Sequence, residues 1–372
     1  MTQLEVFAPG RTELAGNHVD HQGGMVITGT TKAGMHAHVE GRGDLLLSIE
    51  SQGFPTIKLD LADAAAHPGP RLQEQQTSPA LVRGMADQLI SAGYKPRGAN
   101  VYLRSEIPSG GGLSSSAAYE MLMGCALKGI FEAPTSGALD APLELAAAGM
   151  RAEREYFGKP CGCMDQAAIA LGGINVIDFA DAKNPTATHI DFDFAGAGYA
   201  VVLVDTAVTH DDAGSQADYA SIPLDMQKAA YAFGAEGLGQ VEEAEFLRQA
   251  DLLQRQLGEM AVSRARHYFD EIRLTRKRAE ALKVGDMETF VEATRLSGVS
   301  SRDQLKNLGP ALPVFQQVEK CLGPKGACRI HGGGFGGYIQ AFMPAQDVEP
   351  FVAKLDYECT VLELGVAGAG VI

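Results

Sequence analysis

Hydrophobic and polar positions alternate over Val101 to Ile107, as in a half-buried strand, and the Ala-, Leu- and Met-rich run that follows predicts a helix over Ser116 to Ile130. The same reading predicts strands over Gly34 to Glu40, Leu45 to Ile49 and Ile174 to Phe179, and helices over Ser78 to Ala92 and Leu143 to Phe157. Ala180 to Thr188 is a polar break containing Pro185. Tyr199 to Asp205 then reads as a buried strand. Beyond it lie a long helical region from Pro223 to Lys283, a Gly-rich strand-turn-strand from Ala327 to Met343, a helical Val348 to Leu355 and a last strand. The pattern is α+β with mixed sheets, and it predicts two domains, 1–195 and 196–372.

Three glycines and three hydroxyls fill the junction between the Val101 strand and its helix: Pro108-Ser-Gly-Gly-Gly-Leu-Ser-Ser-Ser-Ala-Ala118. Without a Cβ, Gly110, Gly111 and Gly112 let backbone N–H groups approach an anion, and the positive end of the helix points the same way. A phosphate cradle is expected here. A serine one turn in can reach a metal riding on the phosphates. A flexible Gly/Ser linker would lie between polar segments, not between a strand and an Ala-rich helix. No Gly-x-x-x-x-Gly-Lys-Ser/Thr occurs in the chain, so a Walker-type NTPase is not indicated.

Composition narrows the classes. At 372 residues the chain exceeds the comfortable size of one core, and 45% apolar with 21% charged residues describes a globular protein without a membrane-spanning run. With 31 basic and 46 acidic residues the net charge is −15, which argues against nucleic acid or an anionic membrane as partner. The six cysteines contain no Cys-x-x-Cys pair, so reduced structural thiols are expected. Met-Thr-Gln-Leu-Glu-Val-Phe at the start has neither a basic opening nor an apolar signal core, and a cytoplasmic protein is the expectation.

Three further segments carry chemistry. Ala8 to Gly24 packs Arg11, Glu13, Asn17, His18, Asp20 and His21 between glycines, a density of hydrogen-bonding groups suited to recognising a polyhydroxylated ligand, with a solvated loop as the plainer alternative. Arg151 to Gln166 opens as a helix bearing Glu153 and ends in Gly158-Lys-Pro-Cys-Gly-Cys-Met-Asp-Gln166. Asp165 there is expected at a helix N-cap, either as a plain cap or as a general base. His331-Gly-Gly-Gly-Phe-Gly-Gly337 contains Gly-x-Gly-x-x-Gly, but the strand after it and the short remaining chain do not make a dinucleotide-binding half. A glycine turn passing close to a ligand or another loop fits better.

Together these segments resemble, in order, the three motifs of the GHMP small-molecule kinases, and among them the galactokinase family with its Gly-Arg-x-Asn-x-x-Gly-Glu-His-x-Asp-Tyr signature. Cys161 to Gln166 resembles the family's Cys-Gly-x-Met-Asp-Gln, and Arg264 to Arg273 is similar to one of its helices. The resemblance implies a two-domain GHMP kinase fold, with an N-terminal α/β domain of the ribosomal-protein type and a C-terminal ferredoxin-like α+β domain. It implies ATP-dependent phosphorylation of galactose at its anomeric hydroxyl to give galactose 1-phosphate and ADP, with ATP and Mg2+ as cofactors and a monomer or weak homo-oligomer. By position, Asp165 is then the base and Arg11 its neighbour; Asn17, His18, Asp20, Gly162 and Tyr219 face the sugar. Pro108, Gly110, Gly111, Gly112, Leu113, Ser114 and Ser115 wrap the nucleotide, and Ser116 and Glu153 hold the metal. The sequence departs from the signature at Glu13, Asn17 and His21. Asn17 stands where the family has Glu beside the C6 hydroxyl, so galacturonate or another galactose-like sugar is an alternative substrate. A sensor that binds sugar without turning it over is the alternative of another class.

Overall fold

In the computed structural model, residues 2–108, 112–208 and 213–372 are described, the side chains of 213–216 excepted. Gly110 and Gly111 of the expected cradle lie outside the described residues. The first half is built from β1 (Gln3–Ala15), β2 (Met25–Gly41), β3 (Leu46–Ser51), β4 (Ile57–Asp60), β5 (Ala99–Ser105), β6 (Ile174–Asp178) and β7 (Thr186–Ile190). Its helices are α1 (Leu61–Ala66), α2 (Ser78–Ser91), α3 (Ser115–Ile130), α4 (Pro142–Arg151) and α5 (Met164–Leu171). The remainder carries β8 (Tyr199–Asp205), α6 (Ala213–Tyr231), α7 (Glu243–Leu257), α8 (Glu259–Val284), α9 (Met287–Ser300), β9 (Ala327–Ile330), β10 (Tyr338–Pro344), β11 (Cys359–Leu362) and β12 (Gly370–Val371), with α10 (Leu312–Cys321) and α11 (Val348–Val352) between them.

Two sheets result. The larger has the order β12-β1-β2-β5-β3-β4, with β6 joined to the first half of β2 and β7 to β6; β3 and β5 are its parallel pair. The smaller, β11-β8-β10-β9, is antiparallel throughout. Helices α2, α3 and α5 cover the larger sheet with a core that includes Leu14, Ile27, Val39, Met85, Leu122 and Ile169, while α10 and α11 close a second core on the smaller sheet around Val202, Phe315 and Ile339.

Several sequence expectations are corrected by this geometry. The polar segment after Ala8 is not a loop: β1 runs through it to Ala15, with its pairing to β2 shifted at Pro9/Gly10 and again after Glu13. A strand whose polar side chains find buried partners loses the alternation that marks strands in sequence. The break at Ala180 to Thr188 is shorter than expected, since Thr186 already pairs in β7. The single helix expected over Leu143 to Phe157 is α4 followed by a wider π-type turn, Ala152–Phe157, ending at Gly158 in the left-handed region. That turn carries Glu153. The long helical region is three helices, parted by residues 232–242 and by Gly258.

Candidate active site

β1 delivers Arg11 to the place where α3 and α5 begin. Its guanidinium makes a two-pronged contact with Asp165, Nε to Oδ1 and Nη2 to Oδ2, both 2.8 Å. The third prong, Nη1, donates to the Gly112 carbonyl at 2.7 Å, and the Arg11 main-chain N–H donates to Leu113 O at 3.1 Å. One side chain therefore ties the base candidate to the end of the glycine loop. Such planar bidentate pairing is what an arginine does and a lysine does not.

Asp165 is the second residue of α5, not its cap. Cys163 occupies the cap position, and no side chain bonds the free amides there. The Asp165 oxygens are engaged instead by Arg11 and by the Ser114 hydroxyl, which donates to Oδ2 at 2.5 Å. Burial opposes the Asp165 charge, but Arg11 and then Ser114 outweigh it and hold the carboxyl below the ordinary aspartate value. Its side chain stays 32% exposed, open to a substrate. Ser114 sits with φ 58 and ψ 60 at the start of α3, a left-handed conformation uncommon outside glycine, and its hydroxyl caps nothing. In this conformation the Ser114 hydroxyl reaches Asp165.

At the second position of α3, the Ser116 hydroxyl lies 3.3 Å from Glu153 Oε1. Lys159 donates to the same oxygen at 2.8 Å, and Gln166 bridges Glu153 Oε2 and Glu120 Oε2 at 2.9 Å each. Burial, with the neighbouring Glu153 charge, raises the Glu120 carboxyl well above its ordinary value. Ser115 and Pro108 are exposed at the loop's two ends, and Leu113 is buried beneath it.

Four of the sugar-side candidates pack in two contacting pairs, Asp20 with Gly162 and His18 with Tyr219. Asp20 Oδ2 approaches Gly162 so closely that a Cβ there would lie 2.8 Å away. The His18 ring donates from Nε2 to Gly333 O at 2.8 Å and packs, tilted by 59°, with its centre 5.4 Å from that of Tyr219 of α6, which is half exposed. Burial, then the neighbouring His21, keeps His18 neutral by lowering it to about 3. Asn17 is placed differently from the expectation. Its side chain is fully buried, the amide nitrogen donating to Gly332 O at 2.5 Å and the oxygen accepting from Asn307 Nδ2 at 2.8 Å. It clasps the first segment to the glycine turn and does not line the opening.

Comparison with known proteins now bears on what this site is. Residues 2–40 match the galactokinase galactose-binding signature, and residues 80–173 match the GHMP kinases N terminal domain. Over 353 residues the chain is 31% identical to a galactokinase of Lacticaseibacillus casei (strain BL23), covering 93% of this chain and 87% of that one. The chain belongs to the galactokinase family. A second relative, the galactokinase of Glaesserella parasuis serovar 5 (strain SH0165), is 30% identical over 350 residues, 94% of this chain and 87% of that one. Among solved structures, Lactococcus lactis galactokinase complexed with galactose superposes with a TM-score of 0.82 at 25% identity, covering 100% of this chain and 95% of that one. A mevalonate kinase structure shares the fold alone, with a TM-score of 0.65 at 16% identity.

Within this galactokinase-family site, the sequence reading missed several residues. Lys159 and Gln166 lie in the 158–166 segment with nothing local to mark them, yet both grip Glu153. Asn307, which bonds Asn17 and, at 3.3 Å, the Gly333 carbonyl, stands 142 residues from Asp165 with no local signal. Glu271 was read only as part of the Arg264 helix, yet its carboxylate accepts from the main-chain N–H groups of Gly16 and Asn17 at 3.0 and 3.4 Å.

Proposed function

We propose that this chain transfers the terminal phosphoryl of ATP to the anomeric hydroxyl of galactose, giving galactose 1-phosphate and ADP. One observation carries the reading: Arg11, Ser114 and Asp165, from three segments far apart in sequence, share one hydrogen-bonded cluster at the junction of the glycine loop and the sugar-side residues. Asp165 is the group that receives the C1 hydroxyl proton. Held below its usual range by Arg11 and Ser114, it is always ionised near neutrality but is a weak base, so the proton leaves late and alignment supplies much of the rate.

Arg11 neutralises charge on the phosphoryl in flight, and the amides at the start of α3 receive the remaining phosphate oxygens. Ser116 and Glu153, whose oxygens lie 3.3 Å apart, are hard oxygen donors of the kind magnesium takes and would hold it. When bound there, the metal offsets phosphate charge. Lys159 and Gln166 fix the Glu153 carboxylate for that purpose.

Asp20, His18, Gly162 and Tyr219 hold the sugar. His18, donating from Nε2 to Gly333, has its Nδ1 left as an acceptor for a hydroxyl. The case for galacturonate depended on Asn17 facing the substrate. With that side chain enclosed, galactose is the substrate we propose. ADP release over a panel of galactose, galacturonate, glucose, arabinose and fucose tests this, with galactose expected to give the highest kcat/KM; faster release with galacturonate overturns it.

A further inference from the structure

Behind β1 runs a buried chain of polar groups that the proposed mechanism leaves unused. Glu13 and Arg329, both buried, form an ion pair, and Arg329 Nη1 also donates to the Glu13 main-chain oxygen at 2.8 Å. The same Nη1 lies 3.4 Å from Gln340 Oε1, while Gln340 Nε2 donates to Thr12 Oγ1 at 2.7 Å. Thr12 Oγ1 is in turn 2.9 Å from His331 Nε2.

Each link orients the next. A guanidinium can only donate, so Gln340 turns its oxygen toward Arg329 and its NH2 toward Thr12. The Thr12 hydroxyl accepts from Gln340, and among the described residues the other group bonded to it is His331 Nε2, so its own proton goes there. Nε2 is then the acceptor, and the neutral ring carries its proton on Nδ1. Burial, followed by the charges of Arg11 and Arg329, holds His331 well below its ordinary value and outweighs Asp165.

The ring is buried against the glycine loop. Nδ1 is 3.0 Å from the point a Cβ on Gly112 would take, and only a glycine with φ 66 lets loop and ring come so near. Arg11 grips the carbonyl of that same Gly112 at 2.7 Å. Among the described residues, the ring's side-chain hydrogen bond is the one at Nε2, to Thr12.

We propose that His331 is a further phosphate-side residue of this site, a neutral Nδ1–H donor set in that tautomer by Thr12, which donates to an anionic oxygen of the nucleotide phosphates beside Gly112. The donor stays uncharged and adds direction where Arg11 adds charge. The role at the phosphates rests on the kinase reading; the tautomer does not.

The test has two arms. Long-range 1H–15N correlation of the nucleotide-free wild-type protein reads the tautomer directly: His331 is expected with Nδ1 protonated and Nε2 bare, unchanged between about pH 6 and pH 8. An Nε2–H or doubly protonated ring overturns the proposal, whether or not the protein turns over sugar. In steady-state kinetics, His331→Ala is expected to lower kcat/KM for ATP about tenfold or more, the loss of one hydrogen bond to a charged oxygen, with KM for galactose unmoved. His331→Asn, whose amide N–H can stand in for Nδ1, is expected to recover most of that loss, and His331→Gln is not. Equal losses in Ala and Asn, or none in Ala, overturn the proposal. Wild-type protein that transfers no phosphoryl at all, with the Nδ1–H tautomer present, overturns the kinase reading alone.

Discussion

Asp165 illustrates how a single side chain is defined by what it does not bond. At the second position of α5 it could have served the free amides of the helix start, yet its oxygens go to Arg11 and Ser114. Asp165→Asn cannot take the proton and leaves Arg11 with a poor partner; turnover is expected to fall by about 10²–10⁴ while galactose binding, read by calorimetry, persists. Turnover within a few-fold of wild type contradicts the role. Because Arg11 and Ser114 hold this carboxyl below the ordinary aspartate value of 3.8, protonation of Asp165 is expected to leave kcat flat between about pH 5 and pH 8. An acid limb that enters this range and vanishes in a variant of Ser114 contradicts that sign. The family resemblance singled out Arg11, Ser116, Glu153 and Asp165 in sequence, and the structure brings them together in two pairs, Arg11 with Asp165 and Ser116 with Glu153. The inward turn of Asn17 was not legible there, since it depends on Asn307 and Gly332 arriving from 290 and 315 residues away.

Elements follow their local patterns where each packs by one face. α2, α3, β5 and β8 end within about two residues of the sequence expectation, as apolar periodicity governs them. β1 failed that rule because Arg11, Thr12 and Glu13 are buried in pairs across to α5, β9 and β10, which no local window contains. The glycine turn before β10 was legible as a close approach but not as to what approaches. A Cβ at Gly333 would stand 2.1 Å from Tyr219 Cε2. Since Tyr219 is half exposed and free to swing, Gly333→Ala is expected to keep the fold and raise KM for galactose roughly tenfold, about 1.4 kcal/mol, by displacing that ring from His18. A large drop in thermal midpoint with KM unchanged would mean that the turn, not Tyr219, takes up the strain.

At the scale of the whole molecule, β1 is where both sheets and α8 meet. β12 returns from the chain's end to pair beside β1, and the segment before it bonds β2 and α5 through Val366 and Ala369, contacts that no motif announces. Charge is internal as well as external. Fully buried Glu271 of α8 pairs with Arg278 and holds the Gly16–Asn17 amides. Burial opposes its ionisation, but Arg278, then His267 and Arg329, bring its carboxyl down to about 2. A folded value below the ordinary 4.5 means that the pair's stabilisation is complete above about pH 4.5 and fades as pH falls toward 2. Glu271→Gln is expected to cost about 3–5 kcal/mol in urea unfolding at pH 7, because it strands Arg278 in the core, and the gap from wild type should narrow below pH 4.5. A gap that is unchanged at pH 3 contradicts this sign.

All these scales meet in one claim, that the Arg11–Ser114–Asp165 cluster passes phosphoryl to the anomeric oxygen of galactose. Proton-coupled 31P NMR of the reaction of wild-type protein with ATP, magnesium and galactose tests it most directly, since the phosphorus couples to the hydrogen on the carbon it joins. The account predicts a single new sugar phosphate coupled to the anomeric hydrogen, in step with ADP. A phosphate at the C6 oxygen, or ADP without any sugar phosphate, contradicts it.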